Sequence, residues 1–197
     1  SENPAFARLV EQCGLIFIGP DADVIEMMGN KARAKETMIE AGVPVIPGSR
    51  GVVELDEAFQ VARDIGFPVL IKARSGGGGR GMRIAESEED FIDAYTTARA
   101  EARTAFGDDG VYVEKVVQSA KHIEVQLLAD HYGNVLHLFE RDCSLQRRNQ
   151  KIVEEAPCCC LPEKIREAMT ADAVKASRYV GYNSVGTIEF LWDGAER

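Results

Sequence analysis

The stretch Phe67-Pro-Val-Leu-Ile-Lys-Ala-Arg-Ser-Gly-Gly-Gly-Gly-Arg-Gly-Met-Arg83 decides how the rest of the chain is read. An apolar run, Pro68 to Ile71, leads to Lys72, and five glycines then fall within six positions, Gly76 to Gly81. Glycine loses more backbone entropy on folding than any other residue, so this is a costly way to make a turn. Such a loop exposes successive backbone N–H groups and lets another molecule approach them, which is what phosphate oxygens need. Arg74, Arg80 and Arg83 flank the glycines, with no acid between Arg74 and Arg83. No Gly-Lys-Ser/Thr follows, so this is not a P-loop, and the glycines do not open a helix as a dinucleotide fingerprint does. Met82-Arg-Ile-Ala85 predicts a second strand. The glycines, Gly77, Gly78 and Gly79 among them, therefore sit at a hairpin tip, as a flap over a nucleotide rather than a cradle beneath it. Their conformational freedom predicts a tip that is mobile without nucleotide and ordered with it.

The 197 residues suffice for one large or two small domains with ample core. A content of 45% hydrophobic and 28% charged residues is ordinary for a globular protein. No apolar run approaches the roughly 20 residues of a membrane span, and the N-terminus lacks a basic-then-apolar signal. A formal net charge of −9 argues against general nucleic-acid binding, so any anion site is a local basic pocket in an acidic protein. The cysteines are Cys13, Cys143 and the run Cys158-Cys159-Cys160. An odd number without Cys-x-x-Cys spacing reads as reduced intracellular thiols, not as a disulfide framework or zinc site; the triple run reads as a loop of small residues, with binding of a soft metal as the lesser alternative.

Along the chain, a short helix to Gln12 precedes Leu15-Ile-Phe-Ile18, a predicted buried strand stopped by Gly19-Pro20. Helices follow over 21–28 and 30–41, the second capped by Gly42. A small α+β unit then runs from Val45: a helix from Asp56 to Ile65, the two strands about the glycines, a helix opened by Ser87-Glu-Glu-Asp90 as a capping signature, and the strand Val111 to Val117. A second unit opens with the hairpin of His122–Leu128 and Val135–Phe139. An amphipathic helix, Pro162 to Tyr179, places Ile165, Met169, Ala173 and Ala176 inward, and the strand Val185 to Trp192 follows. Glu189 lies mid-strand on a face expected to be apolar, where a carboxylate is costly unless paired or bound to metal.

Several blocks together resemble the biotin carboxylase family of ATP-grasp enzymes. They are Gly29-Asn-Lys31; Lys72-Ala with Gly76-Gly-Gly-Gly-Arg-Gly-Met82; Glu114-Lys115; His122-Ile-Glu-Val-Gln126; Glu140-Arg-Asp-Cys-Ser-Leu-Gln-Arg-Arg148; Gln150-Lys-Ile-Val-Glu-Glu-Ala-Pro157; and Gly186-Thr-Ile-Glu189. The glycine block is shared with other ATP-grasp ligases, whereas the Glu-Arg-Asp-Cys-Ser and Glu-Glu-Ala-Pro blocks are far more specific. The resemblance covers essentially the whole chain. It implies an α+β ATP-grasp fold of two lobes with a mobile glycine-rich lid, truncated at both ends. The implied organisation is a tail of an upstream α/β domain over 1–18, a helical linker over 19–45, the lid over 46–116 and the first part of the larger lobe over 117–197.

The activity implied is ATP-dependent carboxylation of biotin on a carrier: ATP phosphorylates bicarbonate to carboxyphosphate, and the carboxyl group passes to a ureido nitrogen. By the same resemblance Lys31 and Lys72 meet the ATP phosphates, and the flap residues Gly77, Gly78, Gly79 and Met82 bind the nucleotide. Glu114, Lys115, Val116 and Val117 grip the adenine. His122, Gln146 and Asn149 contact the nucleotide, Asn149 standing where many members have histidine. Lys151 is the catalytic residue beside bicarbonate, a point cation suited to a small anion. Glu189 binds Mg²⁺, or Mn²⁺ in its place. The implied partners are a biotin carboxyl carrier, a carboxyltransferase and further copies of the same chain, in the cytoplasm or, in a eukaryote, the mitochondrial matrix. The family's second metal glutamate, catalytic base and biotin-contacting arginine are expected after Arg197. Another ATP-grasp ligase acting through an acyl phosphate, or a nucleotide-binding module without turnover, are the alternatives.

Overall fold

The computed structural model describes residues 3–74, 81–147 and 150–194. In chain order its elements are α1 (Pro4–Gln12), α2 (Ala22–Gly29), α3 (Lys31–Glu40), α4 (Leu55–Ile65), β1 (Val69–Ala73), β2 (Met82–Ala85), α5 (Glu88–Phe106), β3 (Val111–Lys115), β4 (Lys121–Ala129), β5 (Val135–Asp142), β6 (Gln146–Arg147), β7 (Gln150–Lys151), α6 (Glu163–Tyr179) and β8 (Ser184–Trp192). They form two compact units. The smaller is Asn30–Ile39 with Pro44–Val117, and the larger is Ser1–Gly29, Glu40–Val43 and Gln118–Arg197.

In the smaller unit the sheet order is β2-β1-β3, antiparallel throughout. The β1–β2 pairing, Lys72 opposite Met82, is the hairpin predicted on either side of the glycines. Gly76 to Gly79, and Arg80, lie outside the described residues, so the predicted flap itself does too. Strand alternation sends Val69, Ile71, Val111 and Val113 to one face, where they meet Ala58 and Ala62 of α4 and Phe91, Tyr95 and Ala98 of α5. Those helical residues recur at three- and four-residue spacing, the stripe a helix needs to cover a sheet. Phe91 is fully buried, a contribution of about 1.5–3 kcal/mol. Acidic residues fill the first turns of both helices, and α5 ends at Gly107 with φ 71°, its N–H on the Arg103 carbonyl at 3.0 Å. Ser87 occupies the N-cap position, but its hydroxyl donates to the Asp90 carboxylate at 3.1 Å and caps no backbone N–H. The capping box is thus replaced by a side-chain pair.

In the larger unit the sheet order is β5-β4-β8, again antiparallel. Ile123, Val125 and Leu127 of β4 and Ile188 and Phe190 of β8 face α6, whose Ile165, Met169 and Ala173 complete the core. The predicted inward face of α6 is borne out. The predicted strand over 15–18 is not: the segment has no strand pairing, and Leu15, Ile16 and Ile18 are exposed, Ile16 at 92%. A strand requires a neighbouring ladder, and none lies beside these residues within the described chain. Between Val125 and Leu127 the β4–β5 register shifts by one residue, with Phe139 at φ 63°. This bulge reverses the inward–outward parity of β5, so His137 and Glu140 point to the core side while Arg141 points away.

Candidate functional site

Lys72, Tyr112 and Glu114 lie on the face of the smaller sheet opposite its helices, because Lys72 pairs Tyr112 while Leu70 pairs Glu114. Glu114 is only 8% exposed. Its Oε2 accepts from Lys72 Nζ at 2.7 Å, and its Oε1 from Lys35 Nζ of α3 at 3.2 Å. A buried carboxylate persists only when paired. Here two ammoniums share it, which leaves a formal excess of one positive charge facing any incoming anion. Gly48 makes the packing possible: a Cβ there would lie 2.2 Å from the Val113 carbonyl oxygen and 3.0 Å from Lys35 Nζ.

The predicted adenine strand is more committed internally than its pattern suggested. Lys115 donates from its backbone to Pro47 O at 2.8 Å and from Nζ to the carbonyls of Gly66 and Phe67, both at 2.9 Å. Val116 N–H donates to Pro68 O at 3.2 Å, and Val117 is half-buried beyond it. Lys31 is the exposed first residue of α3, behind Asn30, whose side chain accepts from Arg33 N–H at 3.2 Å. Two of the arginines beside the glycines have acidic partners from elsewhere in the unit: Arg74 with Asp108 at 2.8 Å, and Arg83 with Glu101.

The larger unit holds a second cluster on the face of its sheet opposite α6. His122, Glu124 and Gln126 come from β4, Arg141 from β5 and Glu189 from β8, directly across from Glu124. Glu124 is 5% exposed. Its Oε1 accepts from Arg141 Nε at 2.7 Å and from a second guanidinium nitrogen, and its Oε2 from Lys151. Lys151 Nζ also lies 3.3 Å from Glu189 Oε1, and His122 Nδ1 lies 3.5 Å from that same oxygen. Arg141 is fixed further by Gln126 Oε1 at 3.0 Å. Gln146 stands opposite Lys151 in the β6–β7 pair and donates to Cys143 O at 3.1 Å. Burial would raise the Glu124 pKa, but the hydrogen bonds from Lys151 and Arg141 outweigh it and hold the carboxyl below its usual range. Burial likewise opposes the charge on Lys151, and Glu124 and Glu189 more than restore it, so its pKa is raised. Lys151 is a firm cation and no general base. Burial pushes the Cys143 thiol up to about 11, so it is no nucleophile either.

Thus Lys151, Glu189, His122 and Gln146 gather in one unit, and Lys72, Met82 and Glu114 in the other, while Asn149 and Gly77 to Gly79 fall outside the described residues. Sequence reasoning missed Lys35, Glu124 and Arg141. Glu124 was legible in principle, as a carboxylate at an interior position of a predicted strand. Glu189 departs from the expectation of an apolar strand face. Its face is not apolar: Glu189 is exposed between Thr187 and Leu191, while Ile188 and Phe190 take the core side. It is therefore a half-exposed hard oxygen donor already drawn to a cation, which fits one carboxylate ligand of Mg²⁺ completed by phosphates and water.

These two sheets with their helices and the glycine hairpin form an ATP-grasp fold, a nucleotide-binding class. Residues 30–197 match the family described as carbamoyl-phosphate synthase L chain, ATP binding domain, and the chain belongs to it. The resemblance to biotin carboxylases is borne out. Biotin carboxylase 1 of Bacillus subtilis is 51% identical over 198 residues, covering all of this chain and 44% of that protein. The biotin carboxylase domain of Hydrogenobacter thermophilus 2-oxoglutarate carboxylase, solved as a dimer with MgADP, ADP and bicarbonate, is 53% identical. It superposes with a TM-score of 0.88 over 96% of this chain and 42% of that one. Campylobacter jejuni biotin carboxylase, solved as a beta-gamma-ATP complex, gives 0.90 at 48% identity, over 97% and 43% of the respective chains. The chain thus spans less than half the length of these relatives.

Proposed function

We propose that the chain carries ATP-binding residues of a biotin carboxylase, which carboxylates biotin on a carrier protein using ATP and bicarbonate. A bicarbonate oxygen attacks the γ-phosphorus, the bond to the ADP oxygen breaks, and carboxyphosphate forms. The carboxyl carbon then bonds to a ureido nitrogen of biotin as its bond to the phosphate oxygen breaks, and phosphate leaves with the ureido proton. Phosphoryl transfer asks for positioning and charge neutralisation more than for covalent help. Lys72 supplies a cation at the end of a buried strand and exchanges Glu114 for phosphate oxygen. Lys31, the flap glycines with Met82, and the Glu114–Val117 segment supply the remaining nucleotide contacts, with His122, Gln146 and Asn149 from the larger unit. Lys151 orients bicarbonate as a fixed cation. Glu189 would hold Mg²⁺, or Mn²⁺, whose charge offsets that of the phosphates.

The observation that carries this reading is the Lys151 cluster, in which Glu124 and Glu189 hold one ammonium in place and Arg141 fixes Glu124, in a chain about half identical to biotin carboxylases. In the intact protein the proposed partners are a carrier, a carboxyltransferase and a second copy of the chain, in the cytoplasm or the mitochondrial matrix. Among the described residues no helix is long and apolar enough to cross a membrane. The test is phosphate release from ATP by the intact protein, with bicarbonate and biotin each withheld in turn. Release that needs both, and is lost in Lys151→Gln with ATP binding retained, supports the reading. Hydrolysis indifferent to bicarbonate refutes it.

A further inference from the structure

On the α6 side of the larger sheet, away from Lys151 and Glu189, three potential metal ligands converge. The Sγ atoms of Cys158 and Cys160 are 3.4 Å apart, and Cys158 Sγ is 3.7 Å from Asp142 Oδ2. All three ligand atoms lie within 4.8 Å of one another. We propose that Asp142, Cys158 and Cys160 form a tetrahedral site for a thiophilic divalent cation of the zinc class, with water as the fourth ligand.

With Zn–S near 2.3 Å and Zn–O near 2.0 Å, tetrahedral angles require about 3.8 Å between sulfurs and about 3.5 Å between sulfur and oxygen. The Cys158–Cys160 and Cys158–Asp142 separations, 3.4 and 3.7 Å, each differ from these by a few tenths of an ångström, and the third lies within 4.8 Å. Two thiols with one carboxylate oxygen select a borderline-soft ion over Mg²⁺ or Ca²⁺, which seek oxygen alone.

The donors sit on fixed backbone. Asp142 pairs with Glu155 through reciprocal N–H···O bonds of 2.9 and 3.0 Å. Its other oxygen, Oδ1, accepts from Ser144 N–H at 2.9 Å and from the Ser144 hydroxyl, which leaves Oδ2 aimed at the sulfurs. Outer hydrogen bonds of this kind orient a ligating carboxylate. Cys158 donates its N–H to Glu140 Oε1 at 3.1 Å, and its carbonyl accepts from Arg166 at 3.0 Å. Oδ2 now accepts from Lys121 Nζ at 2.8 Å, and that side chain is 43% exposed, so it can turn to solvent when the dication arrives. Cys160 is exposed and gives the ion its entry. Binding forms two metal–sulfur bonds, and each thiol releases its proton to water. The spacing of the cysteines alone gave no zinc pattern, because the third ligand is contributed by β5.

The test is titration of the reduced, tag-free chain with Co²⁺ in a phosphine reductant, followed by Zn²⁺ against a chromophoric chelator. One equivalent of Co²⁺ is expected to give sulfur-to-cobalt charge-transfer absorption that one equivalent of Zn²⁺ abolishes. Cys160→Ser, at an exposed position, should fold, lose the band and bind Zn²⁺ at least tenfold more weakly. Cys159→Ser, whose thiol points to Pro157 O, should retain both properties. Circular dichroism confirms folding of each variant. Absence of the band in the wild type, its survival in Cys160→Ser, or its equal loss in Cys159→Ser overturns the proposal.

Discussion

Replacing Lys72 by methionine separates the two roles assigned to that lysine. The variant keeps the unbranched stem on β1 and removes the ammonium that sits 2.7 Å from Glu114 Oε2. A hydrogen bond to a charged group contributes roughly 1.5–3 kcal/mol. Glu114 keeps Lys35 at 3.2 Å, so its charge is not orphaned, and the expected loss of unfolding free energy is about 1–2 kcal/mol. Lys35→Met should cost a similar amount, because that ammonium is the more buried of the two, at 10% side-chain exposure against 25%. The two variants part at the nucleotide. Loss of a charge-assisted bond to phosphate lowers affinity about ten- to a hundredfold, which is expected for Lys72→Met and not for Lys35→Met. Urea unfolding gives the first quantity and calorimetric titration with MgATP the second. If folded Lys72→Met binds MgATP as the wild type does, Lys72 is a structural partner of Glu114 and nothing more.

Glu124→Gln is expected to lose stability that the wild type has at neutral pH. Because the native carboxyl titrates below its unfolded value, its contribution is complete above roughly pH 4–5 and disappears as the pH falls through the native pKa. Unfolding midpoints of the two proteins should therefore converge in acid, and a gap independent of pH would refute the ion-pair account. Gly48→Ala should destabilise by about 1–3 kcal/mol, since its Cβ meets backbone at 2.2 and 2.9 Å, whereas Gly29→Ala, with nothing within 4 Å, should be neutral or better by up to about 1 kcal/mol. Equal urea midpoints for the two would remove the close-approach argument. The 197-residue chain assayed alone with free biotin is expected to show no biotin-dependent phosphate release, because Lys151 and Arg141 are cations committed to Glu124. Turnover near that of an intact enzyme would show that the proton-accepting group has been misplaced.

Elements whose hydrophobic period reports directly on one packed face were legible in the chain. The stripe Ile165, Met169, Ala173 and Ala176 needed no partner to be recognised; all four are buried, and α6 lies against β4 and β5 as periodicity requires. Residues 15–18 fail for the complementary reason: four apolar residues state a preference for burial, but only a neighbouring strand satisfies it. The site was legible where a charge interrupts an apolar run, as at Lys72, and illegible where cross-strand register assigns partners. Arg141 shows why. Simple alternation along β5 would set it on the same side as His137, under α6. The bulge at Phe139 inserts one residue and turns Arg141 over to Glu124. That reversal also delivers Asp142 to Cys158 on the core side. One irregular residue therefore provides both the clamp that holds Lys151 and the carboxylate of the proposed metal site, so removing the extra residue should disrupt both together.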